Sequence, residues 1–241
     1  MDVGAPGLER RELWEGVAQS LRAAIVSGTI PAGSSLVEAD LAAHFDVSRG
    51  PVRDALRDLA REGLVVDLPR RGTIVSTLTF SDTIDVYAVR EGLEAVGARL
   101  AIERASDPDL ERLRDAVVAM EDAWDRRVEY AESLRADLDF HRELVALSAN
   151  PRLIPLYEQM LAQTQLVVHN AALANPRIRL GLRRSAHREI LDAVMQRDVE
   201  AAHRAITEHY AYAEARLFGP PRVPATDRSA SETDPESAPR G

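Results

Sequence analysis

Apolar side chains recur with a helical period in three stretches near the N-terminus. In the first stretch they fall four residues apart, at Leu13, Val17, Leu21 and Ile25. This spacing predicts an amphipathic helix over 9–27. A short helix is predicted over 37–45, and a third follows Ser48 and ends before a glycine at position 63. Two short helices joined by a tight turn predict a helix-turn-helix.

Two short runs of β-forming residues follow the third helix, at 64–66 and 73–75. They flank the segment Pro69-Arg70-Arg71-Gly72, so the pattern predicts a two-stranded wing with two cations at its tip. Residues 9–76 are therefore expected to form a winged helix-turn-helix domain, preceded by a flexible segment at 1–8.

The helical period continues to residue 218, and Pro and Asp residues divide it into separate helices. We predict helices over about 81–105, 108–125, 128–148, 151–174, 178–196 and 198–217, with a possible break near 177–184. After a linker at 77–80, six or seven helices with short loops predict an antiparallel all-α bundle over 81–218. Residues 219–241 contain five prolines and many polar side chains, and we expect them to be disordered. The predicted fold class is therefore mostly α.

Composition limits the chemistry that the chain can perform. Its 241 residues carry a net charge of −9, so DNA binding must rest on a local cationic patch. Cysteine is absent, which excludes disulfides, thiolate catalysis and zinc sites built on cysteine. We see neither an apolar run long enough for a membrane span nor the apolar core of a secretory signal. We therefore expect a cytoplasmic protein with no membrane partner.

The third predicted helix carries an arginine at every fourth position: Arg49, Arg53, Arg57 and Arg61. This spacing forms one cationic stripe, and arginine pairs bidentately with guanine in the major groove. The stripe also fits a solvated basic edge, in which the neighbouring acidic residues of the same helix would partner the arginines. The short helix before it and the wing after it favour DNA recognition.

Residues 28–75 resemble the winged helix of the GntR family of bacterial transcription regulators. The match comprises Gly28, Ile30-Pro31, Gly33, Leu36, Glu38, Leu41-Ala42, Val47–Leu56, Gly63-Leu64-Val65 and Arg70-Arg71-Gly72. Two positions depart from the family pattern, since Asp54 stands where Glu is usual and Gly50 where Thr is common. Neither departure removes a cation.

This resemblance implies which residues meet DNA. Arg49 and Arg53 would contact bases, while Arg57, Arg70 and Arg71 would contact phosphates or the minor groove. Ser48, Gly50 and Gly72 complete the implied DNA-binding set. Two copies of the domain in a homodimer would bind a short palindromic operator in double-stranded DNA.

The helix predicted over 128–148 has polar residues inside its apolar stripe. Asp137 and His141 lie one turn apart on the face that carries Leu134 and Leu138. A buried carboxylate is costly unless it is paired or bound to a cation. Two later histidines, His187 and His209, also lie on or beside inward faces. The four side chains could meet at one metal ion, or they could form an Asp–His pair and two unrelated core histidines.

Residues 80–217 are similar to the FCD ligand-binding domain of FadR-like GntR regulators. The similarity rests on Arg90, Leu93-Glu94, Asp137, Phe140-His141, the Asn150-Pro151 turn, His187 and the helix from Asp198 to Tyr210. Metal-binding members of that family hold a divalent cation with one Asp and three His. The resemblance implies that the same four residues hold Zn²⁺ here, with Ni²⁺, Mn²⁺ or Fe²⁺ as alternatives. It argues against an acyl-CoA effector, because the members that respond to fatty acyl-CoA lack this quartet.

Arg90 and Glu94 are four residues apart on the first bundle helix. They could form an internal salt bridge, or Arg90 could bind a carboxylate effector as a bidentate donor, with Glu94 beside it. Both interpretations stay open at this point.

Together these features predict a DNA-binding transcription regulator, in the first instance a repressor, and not an enzyme. A small carboxylic acid would bind in a metal-containing pocket and change the affinity for operator DNA. Two alternatives remain. One is a metal-dependent hydrolase or lyase that uses the Asp/His site, and the other is a DNA-binding protein whose bundle only dimerises.

Overall fold

The computed structural model describes residues 6–78, 81–126, 130–174 and 184–218. The N-terminal elements are α1 (Pro6–Val26), α2 (Glu38–His44), α3 (Arg49–Arg61), β1 (Val65–Leu68) and β2 (Gly72–Val75). The C-terminal elements are α4 (Asp82–Arg104), α5 (Asp107–Asp125), α6 (Tyr130–Ala146), α7 (Leu153–Ala174), α8 (Arg184–Met195) and α9 (Val199–Phe218). This architecture confirms the predicted fold class, an N-terminal winged helix-turn-helix followed by a helical domain.

The winged helix is built around one small apolar core. The repeating apolar face of α1 packs on α3 through Leu21 and Ile25, which meet Val52 and Leu59 in a cluster shielded from water. β1 and β2 pair antiparallel, and Leu68 lies opposite Gly72 at the tip of the wing. The turn is tight because Arg70 and Gly72 both adopt positive φ, at 67° and 72°.

Two local details differ from the prediction. Helix α1 begins at Pro6, inside the segment expected to be flexible, because proline is tolerated where a helix has no N–H to bond. Ser48 occupies the N-cap position of α3 with extended backbone, but its side chain makes no capping hydrogen bond. The predicted disordered tail at 219–241, most of the break near 177–184 and linker residues 79–80 lie outside the described residues.

Helix α4 lies at the centre of the C-terminal domain and packs against α6, α7, α8 and α9. Close contact with α6 requires a small residue at Gly97, where a Cβ would lie 3.0 Å from the side chain of Val145. Ser106 and Asp109 form a capping box that starts α5. The described helices include none that is long and apolar enough to cross a membrane.

Helix α7 belongs to the C-terminal domain but also contacts the winged helix. Ala162 and Leu166 pack in the apolar core of that N-terminal domain. The side-chain amides of Gln159 and Gln163 donate to the backbone carbonyls of Arg61 and Glu62, at 2.5 and 2.7 Å. These carbonyls belong to the C-terminal end of α3, so α7 holds the helix expected to enter DNA.

Two glycines make this contact close. Gly28 ends α1 with φ 75°, and a Cβ there would lie 1.9 Å from Nε2 of His169 on α7. Gly63 follows α3 with the same φ, and a Cβ there would lie 2.7 Å from Nε2 of Gln163. The positive φ favours glycine at both positions, and a side chain there would displace His169 or Gln163.

Candidate metal centre and DNA interface

The four candidate ligands come from three helices and all lie in the interior. Asp137 and His141 are one turn apart on α6, His187 is on α8, and His209 is on α9. Their exposed fractions are 5%, 1%, 0% and 7%. Each lies among the apolar residues of its own helix, such as Leu138 on α6, so packing of these faces brings the four side chains inward.

The three histidines converge. One nitrogen from each of His141, His187 and His209 lies within 4.8 Å of the other two. Nε2 of His187 lies 3.3 Å from Nε2 of His141 and 3.0 Å from Oδ1 of Asp137. Asp137 therefore reaches the cluster beside His187.

Glu94 on α4 fixes the orientation of one imidazole. Nδ1 of His141 lies 2.8 Å from Oε2 of Glu94. With Nδ1 as the donor to this carboxylate, Nε2 of His141 carries the lone pair that faces the other histidines. A carboxylate behind an imidazole is the common arrangement around metal-bound histidine, because it selects the tautomer and raises ligand basicity.

The protonation states of Asp137 and His209 favour the binding of a cation. Burial opposes ionisation of Asp137, but the imidazoles of His187 and His141 outweigh it and lower the pKa of Asp137 to about 2. Burial, together with His141 and His187, lowers the pKa of His209 well below its usual value. Near neutral pH the cluster therefore holds an ionised carboxylate and a neutral imidazole at His209, both in their ligating forms.

Two buried atoms of the cluster lack hydrogen bonds. Oδ1 of Asp137 and Nδ1 of His187 have no hydrogen-bond partner among the described residues. The 3.0 Å approach of His187 to Asp137 is therefore a close contact without hydrogen-bond geometry. A carboxylate oxygen left this way in the interior fits a cation, and three imidazoles with one carboxylate are ligands that Zn²⁺ accepts. The three histidines could hold a metal ion.

A small cavity adjoins the cluster. Its volume is about 20 Å³, and its lining includes Asp137, His209, Arg90, Thr164 and Tyr210. Such a space holds about one water molecule. It places the candidate metal ligands and a buried guanidinium on the walls of one chamber.

The structure pairs Arg90 with Glu94 inside the domain. Nη2 of Arg90 donates to Oε1 of Glu94 at 3.0 Å and to the hydroxyl of Tyr157 at the same distance. Nε of Arg90 has no hydrogen-bond partner among the described residues. Burial opposes ionisation of Glu94, but His141 and Arg90 lower its pKa well below the usual range. Glu94 thus connects the buried arginine to the histidine cluster.

The predicted DNA-binding cations lie on the surface of the winged helix. Arg49, Arg53 and Arg57 are exposed along α3, and Arg70 and Arg71 are exposed at the tip of the wing. Around them, Ser48 and Gly72 are exposed and Gly50 is partly buried. This distribution supplies the local cationic patch that an acidic chain needs for DNA.

Glu38 on α2 orients one of these arginines, which sequence reasoning missed. Arg53 donates from Nε and Nη2 to the two carboxylate oxygens of Glu38, at 3.0 and 2.9 Å. The hydrogen bond from Arg53 lowers the pKa of Glu38. Glu38 occupies the edge of the guanidinium formed by Nε and Nη2. The edge formed by Nη1 and Nη2 stays available for a base. Glu38 and Arg53 are 15 positions apart and lie on different helices, so helical periodicity could not predict that they pair.

A winged helix with exposed arginines, joined to a helical domain with a buried histidine cluster, indicates the class of protein: a DNA-binding transcription regulator. Residues 13–75 match the bacterial regulatory proteins of the gntR family, and residues 85–212 match the FCD domain. The chain therefore belongs to the gntR family and carries an FCD domain. The family consists of transcription regulators and not of enzymes, as the sequence predicted.

Named relatives agree with this assignment. A D-xylose utilization operon transcriptional repressor from Paenarthrobacter nicotinovorans is 30% identical over 214 residues, 88% of this chain and 91% of the relative. The transcriptional repressor NanR of Cronobacter sakazakii is 28% identical over 236 residues, 86% of each chain. The crystal structure of a GntR regulator from Rhodococcus sp. RHA1 has a TM-score of 0.70 at 30% identity and covers 87% of this chain and 99% of that one.

Proposed function

We propose that the chain is a cytoplasmic, homodimeric repressor whose operator affinity depends on a small carboxylic acid bound beside a metal ion. The observation that carries the proposal is the buried convergence of His141, His187 and His209, with Oδ1 of Asp137 at 3.0 Å from Nε2 of His187 but without hydrogen-bond geometry. A buried, ionised carboxylate is costly unless it is paired, hydrogen-bonded or bound to a cation. Relatives named as repressors support the direction of regulation.

In the proposed DNA complex, α3 enters the major groove of double-stranded operator DNA. Arg49 and Arg53 contact base edges, and the Glu38 carboxylate holds Arg53 in place. Arg57, Arg70 and Arg71 contact phosphates or the adjacent minor groove, with Ser48, Gly50 and Gly72 close to the backbone. Two winged helices of a homodimer would bind two half-sites of a palindrome.

In the proposed metal site, Asp137, His141, His187 and His209 hold the cation, and Zn²⁺ is the preferred ion over Ni²⁺, Mn²⁺ or Fe²⁺. The bound cation would supply a positive charge to which a carboxylate could add. Glu94 keeps the tautomer of His141 fixed through the 2.8 Å contact at Nδ1. Arg90, whose Nε lacks a partner among the described residues, offers the second charge for an acid.

The chamber is too small for the proposed effector as it stands. A volume of about 20 Å³ holds one water, whereas small-molecule sites span about 300–1,000 Å³. We infer that an organic acid binds a more open arrangement of the helices that line the chamber. An effector that binds the open arrangement more tightly shifts the protein toward that arrangement. Because the helices that line the chamber must move apart, binding of the effector would change their positions.

Helix α7 provides the route from the chamber to α3. Thr164 lines the chamber, and its hydroxyl lies 3.5 Å from Nη1 of Arg90. One residue earlier, Gln163 donates to the end of α3. A displacement of α7 caused by an acid at Arg90 therefore reaches the recognition helix through a single helix. We propose that this movement changes the placement of the two winged helices and releases the operator.

The test combines metal content with operator binding for the purified wild type and His187→Ala. We expect about one divalent ion per chain in the wild type, none in the variant, and equal operator affinity for both without effector. Full metal occupancy in the variant would refute the proposed ligand set. A wild type that neither holds metal nor responds to it would instead favour a bundle that only dimerises.

A further inference from the structure

The chamber beside the histidine cluster lies nearest to solvent where α6 meets α9. Leu134 on α6 and Ala213 on α9 both line the chamber. Leu134 keeps 8% of its surface exposed and Ala213 is only partly buried, whereas Arg90, which also lines the chamber, is 3% exposed. The outer end of the chamber is therefore at Leu134 and Ala213, and Arg90 lies at its inner end. We call the outer end, formed by Leu134 and Ala213, the α6–α9 seam.

Helices α6 and α9 border the seam without close packing between them. Helix α6 packs against α4, α5 and α7, and α9 packs against α4 and α8. In the described part of the chain, α6 and α9 form no close helix–helix packing of their own. They meet through side chains deeper in the domain, where the ring centroids of His141 and His209 are 4.8 Å apart. Because the parts of a fold with few packing contacts open most easily, the seam is the place where the chamber can widen.

The two ends of the chamber differ in chemistry. The seam is apolar, since Leu134 and Ala213 carry only hydrocarbon side chains. At the inner end, Nε of the buried Arg90 has no hydrogen-bond partner among the described residues. A guanidinium donor suits a carboxylate, and an apolar surface suits a hydrocarbon group. The chamber therefore has the polarity of a molecule with an acid at one end and an apolar substituent at the other.

An acid with many hydroxyl groups fits this chamber poorly. Of the hydroxyls on the chamber walls, that of Tyr210 donates to Glu94, and that of Thr164 donates to the backbone carbonyl of Met160 at 2.8 Å. These two hydroxyls already have acceptors. A ligand hydroxyl that is buried against Leu134 and Ala213 would lose its water without gaining a partner, which is costly.

We propose that the effector acid enters through the α6–α9 seam and binds with its carboxylate toward Arg90 and an apolar substituent between Leu134 and Ala213. This inference rests on the carboxylic-acid effector of the proposed function and names its class, a monocarboxylic acid with a hydrocarbon chain or ring. The small side chain of Ala213 leaves room for the substituent, so the residue at this position determines how large the substituent can be.

Hexanoate and gluconate test the class of acid, because they share the carboxylate and the chain length and differ in their hydroxyl groups. In isothermal titration calorimetry of the full chain supplied with Zn²⁺, we expect hexanoate to bind about tenfold or more tightly than gluconate. Gluconate that binds as well as hexanoate, or better, overturns this inference and leaves the carboxylic-acid effector standing. If neither of these acids nor acetate binds, the effector of the proposed function and this inference both fail.

Substitution of Ala213 tests the location of the substituent. Ala213→Phe should fill the seam and weaken hexanoate binding by about tenfold or more, while far-UV circular dichroism shows that the protein still folds. Ala211→Phe, at an exposed alanine two residues earlier on α9, is the matched control and should bind hexanoate as the wild type does. Unchanged hexanoate binding by a folded Ala213→Phe variant would place the substituent outside the seam and overturn the inference.

A cysteine scan gives a second test that does not depend on a bulky substitution. The chain has no cysteine, so Ala213→Cys and Ala211→Cys each introduce a single thiol. Hexanoate should slow the reaction of N-ethylmaleimide with the thiol introduced at 213 and leave the reaction at 211 unchanged. Modification at 213 should also abolish hexanoate binding. Bound hexanoate that gives no protection at 213 overturns the seam, and so does a thiol at 213 that never reacts, because a seam that stays closed admits no acid.

Discussion

The Glu38 carboxylate holds the guanidinium of Arg53 through two hydrogen bonds. In the proposed complex with DNA, this contact would reduce the side-chain entropy that Arg53 loses when it meets a base. The same carboxylate would repel nearby phosphates. We therefore expect Glu38 to weaken binding to any DNA and to improve discrimination between sequences.

Substitution of Glu38 separates these two effects. We expect Glu38→Ala to leave binding to random duplex unchanged or slightly tighter, and to reduce the ratio of operator to random-sequence affinity by about 1 kcal/mol, a value near the low end for one base contact. Fluorescence anisotropy with both duplexes measures the ratio. Glu103→Ala on α4 removes an exposed acid away from the winged helix and is the control. An unchanged ratio would show that Arg53 needs no orientation.

Arg49 opens the recognition helix and should make a direct base contact. Arg49→Ala is expected to weaken operator binding by about 1–3 kcal/mol and to relax base preference at one position in each half-site. Binding measured against operators substituted at single positions reveals both changes. Arg188→Ala, which removes an exposed arginine on α8, should bind as the wild type does. If Arg49→Ala retains full affinity, α3 does not meet DNA in the proposed way.

The candidate metal ligands show what single residues reveal from sequence. Asp137 and His141 stood out because they are polar within an apolar stripe, and that signal needs only the helical period. Glu94 was predicted only as the partner of Arg90 one turn away, in a salt bridge or beside a bound effector, and not as a neighbour of the histidines. Its contact with His141 crosses 47 positions of the chain. Only the packing of α4 on α6 shows that contact.

At the scale of elements, periodicity predicted the described helices of the C-terminal domain to within two residues, except for the N-terminal end of α8, which was predicted at 178 and is described from Arg184. The same method could not predict that α7 serves two domains. Its contacts with α3 come from Gln159 and Gln163, and polar residues on an outward face look solvated in any sequence. In the sequence, Gly28 and Gly63 indicated only that a helix ends. Their contacts with the side chains of His169 and Gln163 on α7 depend on the packing of the two domains.

If α7 transmits the effector signal, removal of its contacts should uncouple the two domains. The double variant Gln159→Ala/Gln163→Ala is expected to bind metal and fold normally, because neither amide touches the histidine cluster. Its operator affinity with and without the active acid should differ by less than about twofold, against the roughly 5–150-fold expected of an allosteric regulator.

Gln196→Ala, at an exposed glutamine between α8 and α9, is the matched control for this pair and should retain the full response. Anisotropy titrations in the presence and absence of a carboxylic acid that releases the wild type supply the comparison. A full response in the double variant would require a route to α3 that avoids these amides.

At the scale of the whole molecule, α4 is the helix against which α6, α7, α8 and α9 all pack. Its inner side holds Glu94 against His141. A change in the chamber would therefore act on the central helix of the C-terminal domain. Net charge and composition gave no indication of this arrangement, because both average over the chain.

The proposed metal ion would cross-link three helices of the C-terminal domain, because its ligands come from α6, α8 and α9. A cation bound only by the folded chain stabilises it by RT ln(1 + [L]/Kd), about 2.7 kcal/mol at a free concentration of 100 times Kd. For a chain of this size each kcal/mol raises Tm by about 2–4 °C. Chelation should therefore lower the Tm of the wild type by roughly 5–10 °C, as measured by differential scanning calorimetry.

His187→Ala should melt at one temperature with and without chelator, because its metal site is incomplete. His203→Ala, which removes an exposed histidine of α9 outside the cluster, should respond to chelation as the wild type does. Equal Tm values for wild-type protein before and after chelation, despite bound metal, would mean that the ion sits where folding does not depend on it. That result would place the metal outside the three-helix cluster, since an ion held there cannot bind the unfolded chain in the same way.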